Sequence, residues 1–154
     1  YEHAGMIKHG SKMIQAVANA RVPKLSLYVG ASYGAGNYGM CGWAYEPDFL
    51  FAWPNARTGV MAGQSAATTM TEVAKVGAAR KGKPIPEAQL EAQGQTIKQH
   101  FDAPEDAFYT SGRVLDHGII DPRDTRKVLA FCLETIIEGR HRSLQSNSFG
   151  VARM

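Results

Sequence analysis

A chain of 154 residues has room for one domain with its own hydrophobic core. Its composition, 44% hydrophobic and 20% charged, is that of an ordinary globular protein. A formal net charge of +3 is too mild to argue for a nucleic-acid partner, and no apolar run reaches the roughly 18–20 residues that a membrane span needs.

In chain order, Met6, Ile7, Gly10, Met13, Ile14 and Val17 recur at three- and four-residue steps, so residues 5–20 read as an amphipathic helix. Pro23 stops it. Lys24 to Gly30 is a β-leaning run, and Ala31 to Gly36 reads as a tight turn because its residues are small. A short helix is expected from about Gly36 to Gly42, then a buried strand over Phe49–Trp53 and a bend that returns another extended piece by Met61. From Gly63 the pattern turns helical. Residues 65–79 form an Ala-rich helix with Met70, Val73 and Gly77 on one side, and Pro86-Glu87 opens a polar helix to about His100. Pro104 opens another, to roughly Leu115.

"DHGIIDP" (116–122) is a brief extended segment, after which Asp121 as cap and Pro122 in the first turn start the last helix. That helix places Val128, Leu129, Cys132, Leu133, Ile136 and Ile137 on one face and ends near Gly139. The basic runs Arg80-Lys81-Lys83 and Arg140-His141-Arg142 fall at expected helix ends, where cations suit the dipole. The order makes an α/β fold: an α/β part over about 1–62, a helical layer over about 63–142 and a polar tail over 143–154 that is expected to pack against a neighbour. Cys41 and Cys132 sit in apolar surroundings without Cys-rich spacing, which predicts reduced thiols inside a cell. The chain starts at Tyr1, close to a helical pattern, and is expected to be a piece of a longer protein.

The chemistry gathers at "LYVGASYGAGNYGMCGWAY" (27–45), where a strand feeds a glycine turn and then a helix. Backbone N–H groups at such a junction have no intrahelical partner, and with the helix dipole they make an anion site for a diphosphate or a developing oxyanion. Gly34-Ala35-Gly36-Asn37-Tyr38-Gly39 matches G-x-G-x-x-G, but a dinucleotide site needs a carboxylate about 20 positions on, at the end of the next strand. That strand ends at Trp53-Pro54-Asn55, and Glu46 and Asp48 come too early. No Gly-Lys-Ser/Thr follows, which excludes a Walker-type loop.

Gly30-Ala31-Ser32-Tyr33-Gly34 literally reads G-x-S-x-G, the signature of a nucleophile elbow, with Asp102, Asp106 and His117 available on paper as triad partners. The five histidines show no metal-ligand spacing, no carboxylate pair is placed for acid–base work, and His117 reads as a turn residue. Two readings of the turn stay open on composition: a main-chain oxyanion hole at the compact Ala35 and Gly36, or a glycine turn that merely lets helix and strand pack closely.

"VPKLSLYVGASYGAGNYGMCGWAYEPDFLFAWPNARTGVMAG" (22–63) closely resembles the carboxyltransferase (β) subunits of biotin-dependent acyl-CoA carboxylases, with the 3-methylcrotonoyl-CoA and geranyl-CoA branch most similar. Asp116-His117-Gly118-Ile119-Ile120-Asp121-Pro122, Asp124-Thr125-Arg126 and the terminal Arg153-Met154 resemble the family's closing segment. The resemblance runs over essentially the whole chain and covers the C-terminal part of such a subunit's C-terminal domain. It departs at Ala31, where relatives usually have glycine, at Trp43, where many have arginine, and at "MAGQSAA" (61–67) in place of "MGGEQAA".

The resemblance implies a crotonase-like fold of ββα units, and active sites shared between two β subunits of a homo-oligomer. An acyl-CoA substrate and a partner α subunit carrying carboxybiotin are implied with it, and the metal-free chemistry requires no side-chain base. On the matching positions the oxyanion hole falls to Ala35 and Gly36, with Tyr33, Gly34 and Asn37 around the biotin; Ser32 is then structural. Expected location is bacterial cytoplasm, or mitochondrial matrix in a eukaryote. Alternatives are a crotonase-fold hydratase or hydrolase acting on a CoA thioester, and an inactive interaction fragment. An isolated chain of this length is expected to be inactive.

Overall fold

The computed structural model describes residues 3–144. Helix α1 spans Met6–Asn19, β1 Leu25–Tyr28, β2 Ala31–Tyr33, α2 Gly34–Gly39, β3 Phe49–Ala52 and β4 Arg57–Gly59. The helical layer follows as α3 (Gly63–Arg80), α4 (Glu87–Asp102), α5 (Ala107–Gly112) and α6 (Thr125–His141), with single 3₁₀ turns at Trp43–Tyr45 and Pro122–Asp124. The expected tail beyond Leu144, including Arg153-Met154, lies outside the described residues.

The strands form two parallel pairs, β1 with β3 and β2 with β4. Leu25 sits opposite Phe49 and Ala31 opposite Arg57. The order β1-β2-α2 is therefore repeated by β3-β4-α3, each strand lying beside its counterpart: two consecutive ββα units, as the resemblance implies. Parallel neighbours need a crossover connection, which the intervening strand, α2 and the 3₁₀ turn provide.

Ala31 to Tyr33 is the main departure from the sequence reading. These residues form a strand rather than a turn, and the helix starts at Gly34 instead of Gly36. The reason is non-local: Thr58 Oγ1 donates to the Ser32 carbonyl at 2.9 Å, and β4 supplies the ladder that three small residues could not announce. Helix α5 is also shorter than expected. It starts after Asp106, whose carboxylate accepts from the N–H of Phe108 and Tyr109 (2.9 and 3.3 Å), rather than at Pro104. Before the last helix, Asp121 and Pro122 open a 3₁₀ turn that runs directly into α6 at Thr125, rather than α6 itself: Asp121 accepts from the Arg123 N–H at 2.8 Å and Pro122 occupies the first position of that turn.

Leu50 on β3 is fully buried, with Ala52 almost so. Ala52 packs with Ala56 and Ala107, against half-buried Tyr28 and Ile119. The "DHGII" segment pairs along β3: the His117 N–H donates to the Leu50 carbonyl, the Ala52 N–H to Gly118, and the Ile120 N–H to Ala52, at 2.8, 3.1 and 2.9 Å. The Trp53 indole N–H reaches Thr125 Oγ1 (2.9 Å), tying the end of β3 to the start of α6.

The small residues Gly63, Ala66 and Ala67 are the buried ones near the start of α3, while Met70 and Val73 stay exposed, so the apolar side expected of that helix does not face the core. Of the face expected to be apolar on α6, Cys132 is buried and Leu133 and Ile137 remain exposed. The basic runs do lie at helix ends, with Arg80 in the last turn of α3 and Arg140 and His141 in that of α6.

Leu50→Ala removes a side chain with no solvent contact, and core truncations of this kind cost about 2–5 kcal/mol. The expected result is a lower urea midpoint with an unchanged slope, read by circular dichroism.

Candidate functional site

The β2–α2 junction is built around a left-handed residue. Tyr33 is extended (φ −125°, ψ 146°) and Gly34 has φ +53°, with Val60 O 3.0 Å from where a Cβ would stand. A side chain there would be strained by its backbone and crowded by β4's exit, so the sharp entry into α2 requires glycine. With Tyr33 as the N-cap residue, the first i−4 bond of α2 begins at Asn37, leaving the N–H groups of Ala35 and Gly36 outside the helical ladder. Among the described residues no side chain, and no backbone carbonyl outside the helices and strands, accepts from these two amides. Successive N–H groups after a left-handed residue form a concave anion receptor.

Asn37 braces the turn. Its side-chain amide donates to Ser32 Oγ and to Tyr28 Oη, both at 2.9 Å. The other end of α2 closes with Gly42 N–H on Asn37 O (2.8 Å) and Cys41 N–H on Tyr38 O (3.0 Å), Cys41 itself being left-handed at φ +59°. A Cβ on Gly42 would collide with the Asn37 side chain, so this glycine makes room for the brace.

Gly34, Ala35 and Asn37 open onto a cavity of about 710 Å³. Tyr28, Tyr38, Trp43, Val60, Met61 and Phe101 supply its largely apolar walls, and Glu105 and Thr58 its polar ones. Gly36 is exposed beside them, and a Cβ on it would meet nothing within 4 Å. Tyr33 turns away from a ligand role: its hydroxyl donates to Glu105 Oε2 at 2.7 Å. Burial first, and then the hydrogen bond to Glu105 and the charge of that carboxylate, push the Tyr33 phenol up to about 12. A second groove, about 550 Å³ between α3 and α4, is lined by lysines and carboxylates, of which Lys75 and Glu87 lie 3.7 Å apart.

The triad suggested by G-x-S-x-G is not brought together. Ser32 Oγ accepts from Asn37, Asp106 caps α5, Asp102 pairs with Lys98, and His117 Nδ1 accepts from the Leu50 N–H at 3.0 Å. His117 also packs its ring against Trp43 and Phe49, with centroids 5.2 and 5.4 Å apart. It works as a structural residue between the "DHGII" segment and β3.

Of the five residues that the sequence singles out, Tyr33 to Asn37 occupy one turn, as contiguity demands. Their neighbours Glu105, Tyr28 and Thr58 escaped the sequence reading. Glu105 comes from 72 positions beyond Tyr33, delivered by the contacts of residues 105–106 with β4, where the Thr58 N–H donates to Glu105 O at 3.0 Å. No local pattern could have announced it.

The carboxyl transferase domain family matches residues 1–151 of the chain. The chain belongs to that family. A probable biotin-dependent acyl-coenzyme A carboxylase beta2 subunit of Mycobacterium tuberculosis is 47% identical over the whole chain, which covers 29% of that relative. The mitochondrial methylcrotonoyl-CoA carboxylase beta chain of Arabidopsis thaliana is 44% identical over 99% of the chain, covering 26% of that relative. Among solved structures, the beta subunit of Pseudomonas aeruginosa geranyl-CoA carboxylase superposes with a TM-score of 0.84 at 48% identity, covering 99% of this chain and 28% of that one.

The chain thus spans little more than a quarter of the length of these relatives. Its crotonase-like fold is that of a carboxyltransferase beta subunit, in part. No helix of the described residues is long and apolar enough to cross a membrane.

The raised Tyr33 phenol has a consequence for stability. The folded state holds this proton more tightly than the unfolded chain, so its contribution is complete below about pH 10 and is lost as pH rises through about 12. The stability difference between the wild type and Tyr33→Phe is expected to be constant below pH 10 and to shrink above it, measured by denaturant titration at a series of alkaline pH values.

Proposed function

We propose that this chain forms the biotin-side half of a carboxyltransferase active site, in an enzyme that moves a carboxyl group from biotin to an acyl-CoA of the 3-methylcrotonoyl type. The observation that carries the reading is the pair of main-chain N–H groups of Ala35 and Gly36, which precede the first i−4 bond of α2 at the turn after β2, in a chain of the carboxyl transferase family. Relatives that match along the whole chain are named as subunits of biotin-dependent acyl-CoA carboxylases.

Biotin, carried by a partner subunit, would supply the transferable carboxyl group on a ureido nitrogen. The residues present fit such a guest. The two amides would donate to the ureido oxygen, which gains negative charge as the carboxyl group leaves, and preorganised donors of this kind need no reorganisation when the charge develops. Gly34 lets the turn be sharp, Asn37 fixes it through Ser32 and Tyr28, and the apolar walls from Tyr38, Trp43 and Phe101 would exclude water from the ring.

No side chain of the turn acts as a base in this reading. Ser32 is an acceptor for the Asn37 brace, and Tyr33 and Asn37 position the amides rather than grip the ligand. The chain as a whole, residues 1–154, would be the last portion of the C-terminal domain of a beta subunit, working in bacterial cytoplasm or the mitochondrial matrix. Exposed apolar residues such as Ile7, Val60, Phe108 and Phe131 support the view that further protein, from the remainder of a subunit or from neighbouring subunits of a homo-oligomer, covers these faces.

The test uses the intact carboxylase with its biotin-carrying partner. Ala35→Pro deletes one donor and is expected to reduce carboxyl transfer by at least about 10²-fold while leaving the thermal transition in place. Normal turnover in that variant would refute the assignment. Ser32→Ala is expected to keep near-normal transfer; its complete loss would restore a nucleophilic serine.

A further inference from the structure

Of the two tryptophans, Trp53 is consumed by the fold: it is half-buried, and its indole N–H donates to Thr125 Oγ1 at 2.9 Å. Trp43 is not. It stands 41% exposed on the 3₁₀ turn Trp43–Tyr45 and forms part of the wall of the same cavity as Gly34 and Ala35. Two contacts bring that turn back alongside α2. Gly42, the residue before Trp43, lies so close to the Asn37 side chain that a Cβ on it would collide, and its N–H donates to Asn37 O at 2.8 Å. Tyr45, at the turn's other end, packs edge-on against the Tyr38 ring with centroids 5.8 Å apart. Trp43 thus follows a glycine in contact with Asn37, and Asn37 itself directly follows Gly36.

The indole is also held in place. His117 packs against it with ring centroids 5.2 Å apart, and His117 is fixed in turn by the Leu50 N–H on its Nδ1 and by the rings of Phe49 and Phe51. An aromatic surface that is rigidly backed yet open to a cavity loses little freedom when a guest covers it. We infer that Trp43 is a specificity-determining contact: its exposed surface packs against the hydrocarbon part of the guest whose urea oxygen the Ala35 and Gly36 amides hold. The site then distinguishes a cyclic urea fused to a saturated ring from a bare cyclic urea. This deepens the carboxyltransferase reading and rests on it. Main-chain N–H groups suit a carbonyl oxygen and an indole suits C–H groups, so the two contacts read different parts of one molecule.

The experiment is calorimetric titration of free biotin into the intact beta subunit, wild type and Trp43→Ala. Ethyleneurea, the bare five-membered cyclic urea, is measured on both by its competition against biotin. Biotin affinity is expected to fall about tenfold in Trp43→Ala, which at about 25 cal/mol per Å² corresponds to roughly 55 Å² of indole surface covered by the guest. Ethyleneurea affinity is expected to change by less than about twofold, since that ligand has no fused ring to lose a contact. A second measurement uses the milder Trp43→Phe. Saturating biotin is expected to change the tryptophan emission of the wild type, and that change is expected to be lost in Trp43→Phe.

Unchanged biotin affinity in Trp43→Ala, or an equal loss for biotin and ethyleneurea, would overturn the inference while leaving the proposed function intact. So would an emission change that persists in full in Trp43→Phe. Should Trp43→Ala fail to fold, the emission of the wild type and Trp43→Phe decides alone. Failure of biotin to bind the wild-type subunit at all would overturn both.

Discussion

Parallel pairing of β2 with β4 is the constraint on which the site depends. Three residues on each side, Ala31–Tyr33 and Arg57–Gly59, fix the point at which the chain must leave the sheet and enter α2. Because the exit is fixed, Gly34 must take a left-handed conformation beneath the Val60 carbonyl, and the amides of Ala35 and Gly36 are left outside both sheet and helix. A longer strand would have spent these donors on the ladder; a longer helix would not have changed them, since the first N–H groups of any helix lack partners. The chemistry offered by the turn is thus a by-product of where two short strands stop.

The turn is held from two directions. On the sheet side, Asn37 ties α2 back to Ser32 and Tyr28, and Gly42 leaves the space that this side chain occupies. From the helical layer, Glu105 takes the Tyr33 hydroxyl, while Asp106 caps α5 and so anchors the segment that delivers Glu105. Each bond alone is worth about 0.5–1.5 kcal/mol, but a satisfied network of this kind limits the conformations open to the backbone. Rigidity at two amides is what a preorganised oxyanion receptor requires. His117 and Asp116 are consumed by architecture: His117 accepts the Leu50 N–H and packs on aromatic rings, and Asp116 accepts from the Gly118 N–H at 2.9 Å.

Much of this was legible in the residues themselves. Local signals placed α1, α3, α4 and α6, because an apolar repeat, alanine content, a proline at a helix start and a capping aspartate are properties of the local chain. The Asp121-Pro122 start is such a case. The peptide 27–45 marked the strand-to-helix turn, while its composition left open whether that turn receives an anion or only lets helix and strand pack closely. Local signals gave out where a partner lies far along the chain. Ala31–Tyr33 became a strand through its ladder with β4, and α5 shrank because Asp106, not Pro104, found the amides to cap.

What the sequence determined by itself is the place and the make-up of the turn: compact Ala35 and Gly36 among glycines, between a strand and a helix, with no large side chain to obstruct their peptide N–H groups. Tertiary structure decided what stands opposite them. Glu105 reaches the cavity from 72 positions beyond Tyr33, and the aromatic walls converge from β1, α2 and the end of α4. Such groups meet because sheet pairing and helix packing bring remote segments together, and neither composition nor spacing encodes a contact that is made only when the chain has folded.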